Sequence, residues 1–354
     1  MKNIYNFILW CLLGVFVFTS NASSCTRVLH VFKDGSVMTA RSMDWYLRYP
    51  TTLWKFSRNV SKSGLTPHNP AKWVSKYGSI VVVQTAGEGQ SASTDGMNEK
   101  GLTGSLMYLT ETDYGKRDSK KVGVASSTYI QYMLDNFATV LEVVAYIKKD
   151  EMQIVPVPIP NSDHLPTMHI ALSDSTGDSA IIEFIEGKVV VHHSKKYQVM
   201  TNSPTFEKQL ALTSYWNEIG GDKFLPGTRS SPDRFVRASF YNSALPEPKE
   251  YREAVSSVMS VIRNASSPFG QPNPDKPNIS TTLWRVVADQ KNLIYYYEST
   301  ISPNLLWIDL KKMDFSKNSP SMALSIEDDS ELYGEVNSFF KKEKQLEFAK
   351  VPKK

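Results

Sequence analysis

The stretch C-T-R-V-L-H-V-F-K-D-G-S-V-M-T-A-R-S-M-D-W, residues 25–45, predicts two strands joined by a tight turn. Two parts of it, residues 26–32 and 37–41, are rich in β-branched and apolar side chains, which favour strands. The K-D-G-S between them predicts a tight turn, because Gly35 adopts a positive φ without steric cost. The stretch therefore predicts a β-hairpin that begins directly after Cys25.

The residues that precede this hairpin have the organisation of an export signal. A positively charged start is followed by the apolar run I-L-W-C-L-L-G-V-F-V-F at 8–18, which is too short to span a bilayer comfortably. Ala22 and Ser24 then form the small-x-small pattern of a signal-peptidase site. We therefore predict that residues 1–24 are removed and that Cys25 becomes the first residue of an exported protein.

The cysteine content gives Cys25 a special position. The chain has two cysteines, and the other one, Cys11, lies within the predicted signal. The mature protein would carry a single thiol beside its own α-amine, whose ordinary pKa of about 7.7–8.0 makes it a base near neutral pH. One residue then supplies both a nucleophile and a base, and no histidine is required.

A cysteine after an export signal is also typical of a lipoprotein, in which lipidation blocks the α-amine. Against this interpretation, Ala22 stands where such signals usually have Leu, and a strand-like segment follows Cys25 without a flexible tether. A non-catalytic lipoprotein lipidated at Cys25 remains the alternative from another class. A papain-type hydrolase is disfavoured, since it needs an internal cysteine and a partner histidine.

The composition is that of an ordinary soluble globular protein. Of 354 residues, 41% are hydrophobic and 21% are charged. The net charge of +4 comes without a concentrated basic stripe, so no nucleic-acid partner is expected. The sequence carries neither a zinc-spaced Cys/His cluster nor a glycine-rich phosphate loop, and it predicts no metal, no cofactor and no membrane span.

Predicted strands and helices are segregated along the chain, which favours an α+β fold over a doubly wound parallel sheet. The charged tail, residues 326–354, is expected to be partly helical and to pack on the domain or on a partner subunit. After the hairpin, strands are predicted at 79–85, 95–109, 168–194 and 281–310, and helices at 126–137, 139–149, 205–218, 233–241 and 250–262.

Five segments, in this order, resemble the choloylglycine hydrolase family of N-terminal-nucleophile amidases, which includes penicillin V acylases and bile salt hydrolases. The resemblance implies a four-layer αββα sandwich of the N-terminal-nucleophile hydrolase type over residues 25–325. The segments are residues 25–45, D-G-M-N-E-K-G-L at 95–102, V-M-T-N-S-P-T-F at 199–206, S-P-D-R-F-V-R-A-S-F at 231–240, and T-T-L-W-R-V-V-A-D-Q-K-N-L-I-Y-Y-Y-E-S at 281–299.

The resemblance also implies roles for individual residues. Cys25 matches the nucleophile, with its α-amine as proton acceptor and donor. Arg41 matches the arginine beside the thiol, where a guanidinium favours thiolate, and Asp44 matches the carboxylate that holds the amine. Asn202 matches a donor to the oxyanion that develops on the carbonyl oxygen, and Arg234 matches a second arginine of the site.

Aromatic residues are expected to shape the substrate site. Tyr108 falls where the family supplies a further oxyanion donor, which here would be its backbone N–H. Bile salt hydrolases often have Asn at that place, so Tyr108 favours an acylase for aromatic or fatty acyl groups. Trp45, Tyr46 and Tyr108 are expected to bind substrate. The adjacent His192 and His193 point to opposite faces of a strand and are assigned no role.

The function expected from these observations is the hydrolysis of a linear amide through a thioester on Cys25. The expected substrates are small N-acyl amides, with penicillin V first and a conjugated bile salt or an N-acyl homoserine lactone as alternatives within the family. The expected location is the periplasm, and the family resemblance implies a homotetramer.

Overall fold

The structure is a computed structural model, and the predicted export signal lies outside its described residues. It describes residues 25–160, 166–220, 223–270, 280–302, 304–326 and 331–353. The strands are β1 Thr26–Val31, β2 Val37–Trp45, β3 Thr51–Phe56, β4 Ser61–Ser63, β5 Lys72–Val74, β6 Ser79–Thr85, β7 Ser91–Asn98, β8 Thr103–Tyr108, β9 Val122–Ala125, β10 Met152–Val155, β11 Met168–Ser173, β12 Ser179–Ile185, β13 Lys188–His193, β14 Val199–Met200, β15 Thr281–Asp289, β16 Ile294–Ser299, β17 Leu305–Asp309, β18 Met322–Ser325, β19 Gly334–Glu335 and β20 Lys341–Lys342.

The α-helices are shorter in total than the strands and lie in the middle of the chain. They are α1 Tyr129–Asn136, α2 Val140–Ile147, α3 Phe206–Ile219, α4 Ser231–Ser243 and α5 Tyr251–Asn264, and short 3₁₀ turns occupy Ser126–Thr128, Leu310–Lys312 and Asn337–Phe339. The five helices predicted between residues 126 and 262 are all present, with ends that shift by one to a few residues.

Two large sheets form the centre of the molecule. The first has the strand order β14-β1-β2-β15-β16-β17-β19, and the second has the order β13-β12-β11-β8-β7-β6-β3-β18-β20. One core joins the facing surfaces of the two sheets and extends to α4 and α5, which contact β1, β2 and β15. A second core lies between the other face of the second sheet and helices α1 and α2. The layers are therefore α, β, β, α, and the predicted four-layer sandwich is confirmed.

The β1–β2 hairpin forms as the sequence predicts. Gly35 has a φ of +84°, and Phe32 N donates to Ser36 O at 2.9 Å to close the turn. The strands pair in antiparallel register, with Thr26 opposite Ser42. Because β14 flanks β1 and β15 flanks β2, the hairpin lies inside the first sheet and both of its strands are held from both sides.

Strand β2 is unusual because all nine of its residues are buried although four of them are polar or charged. Helices cover one face of the first sheet and the second sheet covers the other, which explains the burial of the apolar residues. Arg41, Ser42 and Asp44 are each fully buried. Burying charged groups is costly unless they are paired, so these residues indicate a site rather than a packing solution.

The tail does not adopt the predicted helical structure. In the described part of residues 326–354 the regular structure is two short strands and one 3₁₀ turn. Strand β19 pairs with β17 at the edge of the first sheet, and β20 pairs with β18 at the edge of the second. Sheet edges offer unpaired backbone groups, and an extended tail satisfies them where a helix could not. No helix in the described residues is long and apolar enough to cross a membrane.

Candidate active site

Cys25 directly precedes β1 and lies beside the end of β2. Its Sγ accepts a hydrogen bond from Asp44 N at 3.4 Å, and the Sδ of Met43 lies 3.9 Å away. The residue is 3% exposed, and its side chain lines the cavity described below. The thiol is thus fixed by the sheet itself.

Arg41 is held by backbone oxygens of the second sheet. Its guanidinium donates to Thr94 O at 2.6 Å and to Leu106 O at 2.7 Å, and it contacts Met43 Sδ at 3.3 Å. It also forms a buried ion pair with Asp95 at 3.4 Å. Cys25 and Arg41 therefore meet at the same methionine sulfur, and the positive charge lies on the thiol's side of β2.

Asp95 is a functional candidate that the sequence analysis did not identify. Its carboxylate accepts hydrogen bonds from Ser105 Oγ and from Tyr295 OH, both at 2.6 Å, in addition to the pairing with Arg41. Asp95 opens the D-G-M-N-E-K-G-L segment, so the motif marked its position. Its pairing could not be read there, because it depends on the distance between two sheets.

Burial decides the protonation of the thiol. Removal from water raises the pKa of Cys25, and the negative charge of Asp44 raises it further. The charges of Arg41 and Arg234 act in the opposite direction but do not outweigh burial. The thiol form therefore dominates at neutral pH, and a nucleophilic Cys25 needs a base that removes its proton.

Asp44 lies on the other side of Cys25 and is surrounded by hydroxyl donors. Its carboxylate accepts from Ser42 Oγ at 3.2 Å and from the hydroxyl of Thr282. Burial raises its pKa to about 6, against the lowering effect of Arg234, whose Nη1 lies 3.9 Å from the carboxylate. Asp44 can therefore exist in both protonation states near neutral pH.

Arg234 lies on helix α4 and contacts both Cys25 and Asn202. It donates to Cys25 O at 2.7 Å, to the hydroxyl of Thr26, and to Asn202 Oδ1 at 3.3 Å. Burial lowers its pKa to about 10, so it still carries its charge at neutral pH. This side chain fixes both the start of β1 and the orientation of the Asn202 amide.

Asn202 and Tyr108 are brought together, as the resemblance implied. Asn202 Nδ2 donates to Tyr108 O at 2.6 Å. Tyr108 lies opposite Met168 in an antiparallel pair, and Leu109 N donates to Thr167 O at 3.0 Å. In this register the backbone N–H and C=O of Tyr108 both point away from β11, toward the side on which Asn202 lies.

An apolar cavity of about 120 Å³ opens at Cys25. Trp45 and Tyr108 line it, with their ring centroids 5.8 Å apart. Tyr49 also lines it, and its hydroxyl donates to Pro160 O at 2.6 Å. Among the described residues that border this cavity Tyr46 does not occur; its ring packs on that of Trp45 at 5.1 Å. The expectation that Tyr46 contacts substrate stays a prediction.

Three described histidines, in strands β11 and β13, pair with acidic side chains. His169 and His192 both hydrogen-bond Glu183 at 3.3 Å, whereas His193 bonds Asp178 at 2.8 Å. The adjacent pair thus points to different partners, as the strand geometry predicted. Within the described ranges, no group of three or more His, Cys, Asp or Glu side chains is arranged to hold a metal ion.

A comparison with family models gives one assignment. Residues 25–324 match the model described as linear amide C–N hydrolases, choloylglycine hydrolase family. The matched region begins at Cys25 and ends before the tail.

Individual relatives agree with that match. A penicillin V acylase of Pectobacterium atrosepticum is 43% identical over 346 residues, which cover 92% of this chain and 92% of that protein. A bile salt hydrolase/transferase of Clostridium perfringens is 26% identical over 322 residues, covering 83% of this chain and 94% of that protein. The solved structure of penicillin V acylase from Agrobacterium tumefaciens has a TM-score of 0.84 at 45% identity, covering 92% of this chain and 100% of that one.

Proposed function

The chain belongs to the choloylglycine hydrolase family of linear amide C–N hydrolases, and from this premise we propose that it is an exported acylase that cleaves penicillin V or a closely similar N-acyl amide. It is a hydrolase of linear amide C–N bonds. The observation that carries the proposal is the position of Cys25. Its thiol lies in an apolar cavity, and Arg41, Asp44 and Arg234 surround it with charge.

The proposed chemistry requires Cys25 to be the first residue of the working enzyme. In the full-length chain its nitrogen belongs to a peptide bond and cannot accept a proton. Removal of residues 1–24 converts this nitrogen to an α-amine that titrates near neutral pH. The raised pKa of the buried thiol supports this step, because it creates the need for a base next to the sulfur.

In the first half-reaction the α-amine takes the proton from Sγ, and the sulfur attacks the carbonyl carbon of the amide. The oxygen becomes an oxyanion, and the amide of Asn202 and the backbone N–H of Tyr108 are the proposed donors to it. The C–N bond then breaks as the α-ammonium of Cys25 returns its proton to the leaving amine. The acyl group remains on Cys25 as a thioester.

In the second half-reaction water resolves the thioester. The α-amine of Cys25 removes a proton from water, and the resulting hydroxyl attacks the same carbonyl carbon. The thiolate leaves, takes the proton back from the α-ammonium, and the acyl group departs as a carboxylic acid. Asp44 holds the α-ammonium during both halves, and Arg41 and Arg234 stabilise the thiolate as leaving group and nucleophile.

The size and lining of the cavity favour a substrate with a compact acyl group. At about 120 Å³ it is similar in size to the roughly 150 Å³ engineered cavity that accepts benzene in another protein. Its aromatic walls, Trp45 and Tyr108, suit the aryl ring of a phenoxyacetyl group better than a steroid. A conjugated bile salt and an N-acyl homoserine lactone are the alternatives that the substrate test must separate from penicillin V.

The test compares the purified mature enzyme with Cys25→Ala and Cys25→Ser on these three substrates. We expect the largest kcat/KM with penicillin V, and an acyl-enzyme mass on Cys25 when the reaction is quenched early. A larger kcat/KM with a bile salt or a homoserine lactone would reassign the substrate. Hydrolysis of none of the three, or undiminished turnover by Cys25→Ala, overturns the proposal.

Export, release of Cys25 and location in the periplasm are part of the same proposal. The intact mass of the protein exported by a Gram-negative host tests them: we expect the mass of residues 25–354 without modification. A mass with added acyl chains would support the lipoprotein alternative and exclude the α-amine mechanism. The homotetramer that the family resemblance implies is measured on the same sample by sedimentation.

A further inference from the structure

The end of the tail forms part of the wall of the substrate cavity. We define the C-terminal strap as residues 345–351. One of its residues, Ala349, lines the same cavity as Cys25. The family match ends at residue 324, so this contribution comes from a segment that the family model does not describe.

Hydrogen bonds hold Ala349 against the rest of the wall. Its N–H donates to Ser91 O at 2.9 Å, and its carbonyl accepts from Ser127 Oγ at 2.6 Å. Two residues further on, Val351 N donates to Leu65 O at 3.0 Å. The backbone of the strap is thus fixed at the residue that borders the cavity and again two residues beyond it.

The aromatic ring of Phe348 anchors the strap directly before Ala349. Phe348 is 8% exposed and belongs to the second core, with its ring 6.2 Å from that of Phe56. Because successive side chains of an extended segment point to opposite sides, burial of Phe348 in the core directs Ala349 to the other side, toward the cavity. The anchor and the wall residue are therefore coupled by the backbone.

Small residues that line the cavity lie at or next to the hydrogen-bond partners of Ala349. Ser127 is one of these partners, Ser126 precedes it, and Ala92 directly follows Ser91, which accepts the Ala349 N–H. We propose that Ala349 is a specificity-determining residue, whose small side chain leaves room for the acyl group of the substrate. This inference rests on the proposed function and assigns the acyl-size limit of the same site to the strap.

The test uses N-acyl amides of one amine with acyl groups of increasing size: acetyl, butyryl, phenylacetyl and phenoxyacetyl. Ala349→Leu places a larger side chain in the cavity, so we expect kcat/KM for the phenoxyacetyl substrate to fall about tenfold or more, since a methylene in an apolar pocket is worth roughly 10–200-fold in discrimination. The ratio of the phenoxyacetyl to the butyryl rate should fall with it. Ala349→Gly should raise that ratio.

Ala211→Leu is the matched control, because it makes the same chemical change at an exposed position of helix α3 and should leave the ratio unchanged. Ala349→Val provides a milder increase in volume if Ala349→Leu does not fold. An unchanged ratio in Ala349→Val and Ala349→Gly, or an equal loss for all acyl groups, overturns the inference while the proposed function stands. A wild-type enzyme that hydrolyses none of the substrates overturns the proposed function, and the inference with it.

Discussion

The β1–β2 hairpin and the C-terminal strap border the same cavity but are held in different ways. The hairpin lies inside a sheet, and its charged residue Arg41 has two backbone acceptors and the carboxylate of Asp95 as partners. The strap lies over the outside of the domain, with three hydrogen bonds around Ala349 and one buried aromatic ring, Phe348.

This difference in support suits the different functions that we propose for the two regions, catalysis for the hairpin and acyl selection for the strap. A group that must stay at a fixed distance from the thiol lies where many interactions hold it, since small displacements greatly lower the rate of catalysis. A group that only limits the size of the acyl chain needs less support. Substitutions in the hairpin should therefore affect all substrates alike, whereas substitutions in the strap should affect the choice among them.

Cys25→Ala should have the largest effect. It removes the proposed nucleophile, and in other hydrolases loss of the nucleophile lowers kcat by about 10⁶-fold. Stability should change little, because one sulfur atom is lost from a site bordering a cavity. Hydrolysis assays and thermal unfolding of the purified variant measure the two quantities. Turnover close to that of the wild type would show that Cys25 is not the nucleophile.

Asp95→Asn should have the next largest effect. Arg41 would remain buried with its partner's charge removed, and breaking a buried ion pair costs about 3–5 kcal/mol. A displaced guanidinium beside the thiol should lower kcat by about 10²-fold for every acyl group, because a misplacement of about 1 Å has effects of that size. Steady-state kinetics over the acyl series and chemical unfolding test this prediction.

Asp135→Asn is the matched control for Asp95→Asn. Asp135 is also fully buried, and it pairs with Lys62 at 2.9 Å and accepts from Trp73 Nε1 at 2.7 Å. Its loss should destabilise the fold to a similar degree but leave kcat within a few-fold of wild type. Equal losses of kcat in both variants would mean that Asp95 acts only through stability.

The hairpin could be predicted from the sequence because its determinants are local. The turn at Gly35, the β-branched and apolar composition of β1 and the position of Cys25 after a predicted export signal are all contained in one continuous stretch. The resemblance then pointed to Asn202 and Arg234, which the structure brings to Cys25 from distant segments. Their contacts depend on sheet order, which local patterns do not determine.

The strap could not be predicted, because its conformation depends on tertiary context. It belongs to the charged tail, residues 326–354, for which the sequence predicts partial helix rather than an extended segment. The position of Phe348 is determined by a hydrophobic site at Phe56, almost three hundred residues earlier in the chain. Asp95 escaped identification for a similar reason, since its partner Arg41 belongs to the other sheet.

The pH dependence of kcat/KM should report on Asp44, which lies in the hairpin. Burial raises the pKa of Asp44 to about 6 in the chain whose Cys25 nitrogen is still in a peptide bond. The α-ammonium of the mature enzyme would lower it, because an opposite charge favours the carboxylate. We therefore expect kcat/KM to fall with decreasing pH in two steps. The upper step follows protonation of the α-amine near its ordinary pKa of about 7.7–8.0, and the lower step, at or below pH 6, follows protonation of Asp44.

The lower step should be the same for all acyl groups and should disappear in Asp44→Asn, whose low remaining activity should follow the α-amine step alone. The stability of the unprocessed chain should depend on pH in the opposite direction to kcat/KM. A folded pKa of about 6, above the ordinary value of 3.8, means that the native state holds the proton more tightly. The contribution of Asp44 to stability then falls as the pH rises between these values. A lower step that persists in Asp44→Asn would assign that step to another group.

Phe348→Ala should have the smallest effect on turnover and tests the strap. Truncation of a buried Phe costs about 3–5 kcal/mol, but the strap is a terminal segment with few contacts, so the loss should appear as local release rather than global unfolding. Hydrogen exchange should accelerate in residues 345–351 and remain unchanged in β1 and β2. With Ala349 no longer fixed, we expect kcat/KM for the butyryl substrate to stay within a few-fold of wild type, while discrimination between butyryl and phenoxyacetyl groups weakens. Phe348→Leu keeps an apolar anchor and should retain most of that discrimination. If release of the strap lowered the rates of all substrates equally, the strap would support the catalytic groups, and the division between a catalytic hairpin and a selective strap would be wrong.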